Sequence, residues 1–502
     1  MAFRKTLKAN GDFKFRSRLV GCGYSQIYGK DYDENFSPTA KYKSLYIILH
    51  LCAIYGWHMM GIDVENAFIE PKIDKEIYMY LPKGVYMNPQ SGRRVKVKLL
   101  KSLYGLKQAG DLWNKLINGL FIDMKYYRLA HDLCVYIYHD EAGDLIITVI
   151  YVDDILFFGP NLKLIDSHIQ YLIDHITKLT IDDKVTRYIG VDIERDKDNH
   201  TIKISQKPYT EEYVLSNVPG GLSIKELPLP PSVDYEEQTK GTEPPIMKEV
   251  GQLRYLADRT KIEIQAAVGT LGSAAANPSI EHVKGVTHIG QYLKGTIGDG
   301  VTFGGNDKNV LLFGYCDASY EPRHRSRLGF DWFLNLESGA IAGRSTLDPN
   351  VTHSSCESEI SGIDIAVREA IYLRGFLKEL DHEQTKPTVL YTDSKSAKQL
   401  IELFHVGSNS AHLVMRLNFL HEQTQRGIIE LRYINTDDQV ADIQTKLLSL
   451  PKFKKFKGII LSGHKGISPL SVKAIIPEPN RSKTLRNILK WRLKQRVITP
   501  KK

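Results

Sequence analysis

The sequence predicts a multidomain chain of mixed α and β structure, and three observations lead there. Its 502 residues exceed one ordinary hydrophobic core, since domains cluster at roughly 100–150 residues, so two to four domains are expected. A β-branched and aromatic run, Leu145 to Phe158, is broken only by Asp153 and Asp154 and reads as two strands meeting at a turn. Residues 219–245 hold six prolines with no sustained period of 2 or 3.6, which marks a linker between folded parts.

From the N-terminus, an apolar helical stretch spans Leu45 to Tyr55, and Trp57 to Ile62 reads as a strand leading into Asp63. The Asp153-Asp154 pair comes next. Burying a carboxylate costs several kcal/mol, so two acids in an apolar run need a turn, a cation or both. Tight two-residue turns favour Gly or Asn where φ is positive, and Asp-Asp supplies neither. The pair is therefore either a solvated turn or a metal-holding hairpin.

Beyond the linker, Val250 to Leu256, Asn277-Pro278-Ser279 and Gln291 to Thr296 mark two or three helical segments punctuated by Pro and Gly. From Val310 a β-rich opening gives way to a helix. There Ile360, Ile363, Val367, Ala370, Leu373, Leu377 and Leu380 recur at steps of three or four. A strand Val389 to Thr392, a second helix and a strand Ile429 to Ile434 follow.

Composition narrows the function classes. The apolar stretches contain acids and fall short of the about 20 residues of a membrane span, and Met1 to Lys5 lacks a signal-peptide core, so an intracellular chain without membrane insertion is expected. Five scattered cysteines without a CxxC pair argue against a disulfide framework and a zinc site. The net charge of +9 is uneven: residues 451–502 hold 15 Lys and Arg against Glu478 alone, or +14, which leaves residues 1–450 at −5. Basic runs with interleaved Phe, Leu, Ile and Trp491 suit RNA, an anionic membrane surface or nuclear import, or form a solvated end.

Tyr151-Val152-Asp153-Asp154 resembles the catalytic hairpin of reverse transcriptases. Gly61 to Phe68 and Ser102 to Ala109 lie upstream in the order and spacing of copia-type LTR-retrotransposon polymerases. Tyr315-Cys316-Asp317-Ala318-Ser319, Ser354 to Glu359, Tyr391-Thr392-Asp393-Ser394 and Gln439 to Ile443 are similar to the same family's ribonuclease H domain. The resemblance covers residues 14 to 448 and suggests a fungal host. It implies a right-hand polymerase palm, an antiparallel sheet with helices, whose fingers are truncated (1–218), followed by the linker (219–245). A helical thumb or connection region (246–308), a ribonuclease H-like α/β domain (309–448) and a basic tail (449–502) complete it. A chain that starts inside the fingers and lacks protease and integrase segments would be a fragment or relic of a Pol polyprotein.

The resemblance also implies the sites. Asp63, Asp153 and Asp154 would be the polymerase carboxylates, holding two Mg²⁺ or Mn²⁺ ions for nucleotidyl transfer. Phe68 would sit beneath the incoming sugar and select deoxynucleotides, Gln108 near nucleotide and template, and Arg18 on the triphosphate. Each also has a plain reading: a core Phe, a surface Gln, a strand-end Asp. Cys22 stands where relatives often have Lys, and Gly110-Asp111 where they have Pro-Arg; both departures remove a basic side chain. Asp317, Glu359, Asp393 and Asp442 would be the nuclease quartet, again with two ions, and Glu357 a solvated neighbour. His412 would assist product release. The implied partners are an RNA template, a DNA primer, RNA–DNA hybrid, dNTPs and particle proteins. The implied location is the cytoplasm, in virus-like particles, with nuclear entry through the tail. The rival readings are an inactive remnant that binds nucleic acid and a nuclease-only fragment.

Overall fold

The computed structural model describes residues 2–7, 13–82, 95–233, 235, 241, 243–320, 325–404 and 413–464. His412 and the basic run Arg481 to Arg496 lie outside these residues. Among the described ones, mixed α/β structure is organised around several sheets, most of them antiparallel. No helix there is long and apolar enough to cross a membrane, and all five cysteines are free.

The first large sheet has six strands in the order Leu179–Asp182, His58–Val64, Asp154–Gly159, Leu145–Tyr151, Val135–His139 and Tyr127–Arg128. Its central strands read as unbroken apolar runs because both faces are covered. On one face Ile62, Val64, Ile155 and Phe157 meet the helices Ala109–Asp123 and Leu162–His175 through Trp113, Ile117, Phe121, Ile165, Ile169 and Leu172. Ile165, Ile169 and Leu172 fall at the i, i+4, i+7 spacing of one helix face, and the Asn161 side chain caps that helix by accepting from Leu164 N at 3.2 Å. Against the strand Asp154–Gly159 also packs the helix Tyr42–Tyr55, buried all round from Ser44 to Ile54 and ended by Gly56 in the left-handed region, φ 68°.

A four-stranded sheet follows, Arg187–Tyr188, Val191–Asp196, Thr201–Ser205 and Val301–Gly304. Its last strand arrives from beyond the proline-rich stretch, so residues on both sides of 219–245 share one sheet. Nothing in the local sequence announces this, because strand partners are chosen by tertiary packing. The described residues of 219–245 hold neither helix nor strand, and the helices Met247–Ala257, Gln265–Ser273 and Ile280–Gly295 come after it.

The last sheet has the order Ala342–Leu347, Arg327–Phe333, Phe313–Ser319, Thr388–Thr392 and Ile429–Tyr433. The first three strands pair antiparallel and the last two join in parallel. Parallel pairs need crossovers, and helices supply them. Ser355–Glu379 precedes Thr388–Thr392, while Lys395–Leu403 and Val414–Gln425 precede Ile429–Tyr433. The sequence pattern places the long helix within five residues of its observed start but shows one helix, rather than two, before the last strand.

The basic run Pro451 to Lys457 differs from a solvated end. It lies in the packed helix Leu450–Ser462, which buries Phe453, Phe456, Ile459 and Ile460. Its lysines face acids: Lys452 pairs with Asp442 at 2.5 Å, Lys454 with Glu226 at 2.5 Å, Lys455 with Asp438 at 2.6 Å and Lys457 with Asp299 at 2.8 Å.

Candidate functional site

The Asp153-Asp154 hairpin turns one residue earlier than the sequence suggests. Tyr151 pairs with Asp154, leaving Val152 and Asp153 as the turn. The positive φ falls on Val152, at 59°, a conformation that β-branched residues rarely take. Two contacts fix the turn. Trp113 Nε1 donates to Val152 O at 2.5 Å, and Val64 N donates to Asp153 O at 2.9 Å. From below, the buried Tyr188 hydroxyl donates to Val149 O at 3.3 Å and Asp154 O at 3.2 Å.

The register of the neighbouring strand sets Asp63 directly opposite Asp154. Three aspartates thus stand at one end of two paired strands, although their carboxylate oxygens do not all converge within 4.8 Å of one another. Burial, then the charges of Asp153 and Asp63, push the Asp154 carboxyl up to about 6. A site that raises the proton affinity of a carboxylate through neighbouring acids is one that a cation would relieve, and an all-oxygen donor set suits Mg²⁺ or Mn²⁺.

The expected nucleotide contacts are only partly gathered. Arg18 stacks its guanidinium over the Tyr104 ring, 4.8 Å from the centroid, and Phe68 meets the same ring edge-on at 5.5 Å. Phe68 also packs against the apolar core beneath the six-stranded sheet. Gln108 is 1% exposed. Its amide donates to Asp31 O at 2.9 Å and Asp74 at 3.4 Å and accepts from Gln26 at 2.9 Å, so it is spent on the protein itself. Tyr104 is the residue that sequence reasoning passed over, although it lies in the Ser102 to Ala109 segment.

The second cluster lies on the five-stranded sheet. Asp317, Asp393 and Asp442 bring carboxylate oxygens within 4.8 Å of one another, and among the described residues they are the one group of three or more that does so. Two glycines make this possible. Gly329 sits opposite Asp317, and a Cβ there would strike Gln444 and Thr445, so its absence admits the short helix Asp442–Thr445. Gly362 lets the helix Ser355–Glu379 lie close on the backbone of Asp317, where a Cβ would come within 3.1 Å of the Asp317 carbonyl oxygen.

Glu359, in the first turns of that helix, belongs electrostatically to the cluster. Burial, then Asp317, Asp393 and Asp442, raise its carboxyl well above the usual range, and its buried Oε2 has no hydrogen-bond partner. An orphaned carboxylate oxygen facing three acids fits a divalent ion. Asp317 is pushed up to about 6 by burial, against the pull of Lys446. Asp393 accepts from the Thr436 hydroxyl at 2.8 Å. Glu357 is buried rather than solvated. It accepts from His353 N at 2.7 Å while its own N–H meets the capping Ser354 hydroxyl at 3.2 Å, a helix-start role.

With this geometry in view, the family model described as reverse transcriptase (RNA-dependent DNA polymerase) matches residues 2–218, the stretch that holds Asp63, Asp153 and Asp154. Residues 2–218 belong to the reverse transcriptase family. Beyond this domain, similarity extends over most of the chain to copia-type Pol polyproteins. The Retrovirus-related Pol polyprotein from transposon TNT 1-94 of Nicotiana tabacum is 32% identical over 474 residues, 90% of this chain and 35% of that protein. The corresponding polyprotein from transposon RE1 of Arabidopsis thaliana is 28% identical over 463 residues, 90% of this chain and 31% of its own length. The Transposon Ty1-BL Gag-Pol polyprotein of Saccharomyces cerevisiae is 25% identical over 480 residues, 88% and 26% respectively. The chain therefore spans about a third or less of the length of these relatives.

Proposed function

We propose that the chain is an RNA-directed DNA polymerase with a second, ribonuclease H active site, acting on an RNA template, a DNA primer, dNTPs and the resulting hybrid. The six-stranded sheet is then the palm, the helices between Met247 and Gly295 the thumb-like region, and the five-stranded sheet the nuclease. The observation that carries this reading is the pairing of Asp63 with Asp154 beside the Val152–Asp153 turn, inside the stretch that matches the reverse transcriptase family.

In the palm, Asp63, Asp153 and Asp154 would hold the ions, and in the nuclease Asp317, Glu359, Asp393 and Asp442 would do so. When bound, such ions would supply Lewis acidity at both sites, for the oxygen nucleophile and for charge on the phosphate. The chain's own part is position. Trp113 and Val64 fix the turn and with it the direction in which Asp153 and Asp154 leave the sheet, and Tyr104 contacts both Arg18 and Phe68, the two residues this reading assigns to triphosphate and sugar.

The test is Mg²⁺-dependent primer extension on a labelled RNA template, beside Asp153→Asn and Asp393→Asn. Extension lost only with Asp153→Asn, and RNA cleavage lost with Asp393→Asn, is the expected result. Cleavage without extension would reduce the chain to a nuclease. Tight hybrid binding with neither activity would make it a non-enzymatic remnant.

A further inference from the structure

Asp317 and Asp442 are each 1% exposed, and two buried carboxylates this close need counter-charge to stay together. The protein supplies it from within. Lys446, four residues after Asp442, sets Nζ 2.7 Å from Asp442 Oδ1, 3.1 Å from Asp317 Oδ2 and 3.3 Å from Asp317 Oδ1. Lys452 Nζ lies 2.5 Å from Asp442 Oδ2, and the Thr445 hydroxyl donates to Asp317 Oδ2. Both oxygens of Asp442 thus carry an ammonium, on a residue of the converging trio. The Lys446 side chain is 39% exposed, and its flexible stem can swing toward solvent without moving the backbone.

We propose that Lys446 is the resident counter-cation of this cluster: it holds Asp317 and Asp442 together until divalent ions take the same oxygens, and so sets the affinity of the site for them. The inference rests on the nuclease reading above. An ammonium and a divalent ion compete for one set of carboxylate oxygens. Removing the lysine therefore strengthens divalent binding while loosening the metal-free cluster. Lys446 acts as a positioning residue, through the two aspartates.

The experiment titrates Mn²⁺ into the full chain by calorimetry, with thermal unfolding measured beside it. Asp63→Asn and Asp154→Asn are present throughout, so that the signal comes from the second cluster. Lys446→Gln should bind Mn²⁺ roughly three- to tenfold more tightly than the parent, the scale of one part-exposed charge pair. Its metal-free form should melt at lower temperature, and Mn²⁺ should raise that temperature more than in the parent. Lys446→Arg, which keeps the charge, should stay near the parent on all three readings. Equal or weaker Mn²⁺ binding by Lys446→Gln would overturn the proposal while leaving the nuclease reading standing. Absence of Mn²⁺ uptake by parent and variants that still melt cooperatively would overturn both. If Lys446→Gln does not fold, Lys446→Met keeps the packed stem; rescue of either by Mn²⁺ supports the proposal, and failure of Mn²⁺ to rescue them counts against it.

Discussion

At Val152 the backbone takes a left-handed conformation with a β-branched side chain, which costs on the order of 1–3 kcal/mol and persists only where neighbours over-determine it. Trp113 is one of those neighbours. Trp113→Phe keeps the ring in the core and deletes the donor to Val152 O, so primer extension should fall several-fold with about 1 kcal/mol lost from unfolding. Unchanged hybrid cleavage by the same variant would place the effect in the palm. The two aspartates stood out in the sequence because charge is anomalous in an apolar run. Trp113 did not, because an indole among apolar residues reads as ordinary core, and its contact with the turn spans 39 residues. Asp331, the lone acid of the apolar run Leu328 to Leu334, also went unread; it is buried with one oxygen on Gln444 at 2.8 Å. Burial pushes its carboxyl up to about 8, with Gln444 pulling the other way. Between the ordinary value near 4 and about 8, the folded chain holds a proton that the unfolded chain has released. This contribution is therefore fully present below about pH 4 and is lost as pH rises through about 8. Asp331→Asn should flatten the decline, read as melting temperature from pH 5 to 8.

The helix Ser355–Glu379 serves two ends. Its first turns carry Glu359 to the acid cluster, and its C-terminal half meets the N-terminal half of the chain. Lys43 pairs with Glu369 at 2.5 Å beneath the Tyr372 ring, and Glu379 accepts from Ala130 N at 3.0 Å and His131 N at 3.2 Å with His131 Nδ1 at 3.0 Å. Glu379→Ala leaves those backbone donors to water and should cost about 1–3 kcal/mol. Amide exchange should then quicken at Ala130 and His131 and leave Glu359 and its neighbours protected. Equal exchange at both ends would deny the helix this divided role. The periodicity of Ile360 to Leu380 made the helix legible, since one apolar face must repeat every three or four residues. Its polar contacts stayed illegible, as did those of Leu450–Ser462, where lysines that look like a nucleic-acid grip meet acids brought near by the fold.

Across the molecule, the sequence separates two halves at the proline-rich stretch, and the fold stitches them through Val301–Gly304 against Thr201–Ser205. His50 adds a second stitch, buried with Nδ1 3.1 Å from the Ser338 hydroxyl and accepting from Gly304 N at 3.3 Å. A protease site placed at the exposed Gly220–Gly221 should yield two fragments that elute together until denaturant is added. Separation without denaturant would mean that the shared sheet contributes little. The order of acids along the chain was readable because each motif is local; the shared sheet was not, since its partners lie about a hundred residues apart. That separation has a cost in time. On a ribosome adding ~5–20 residues per second, Thr201–Ser205 waits roughly 5–20 s for the strand that completes its sheet, with a bare edge open to any passing chain.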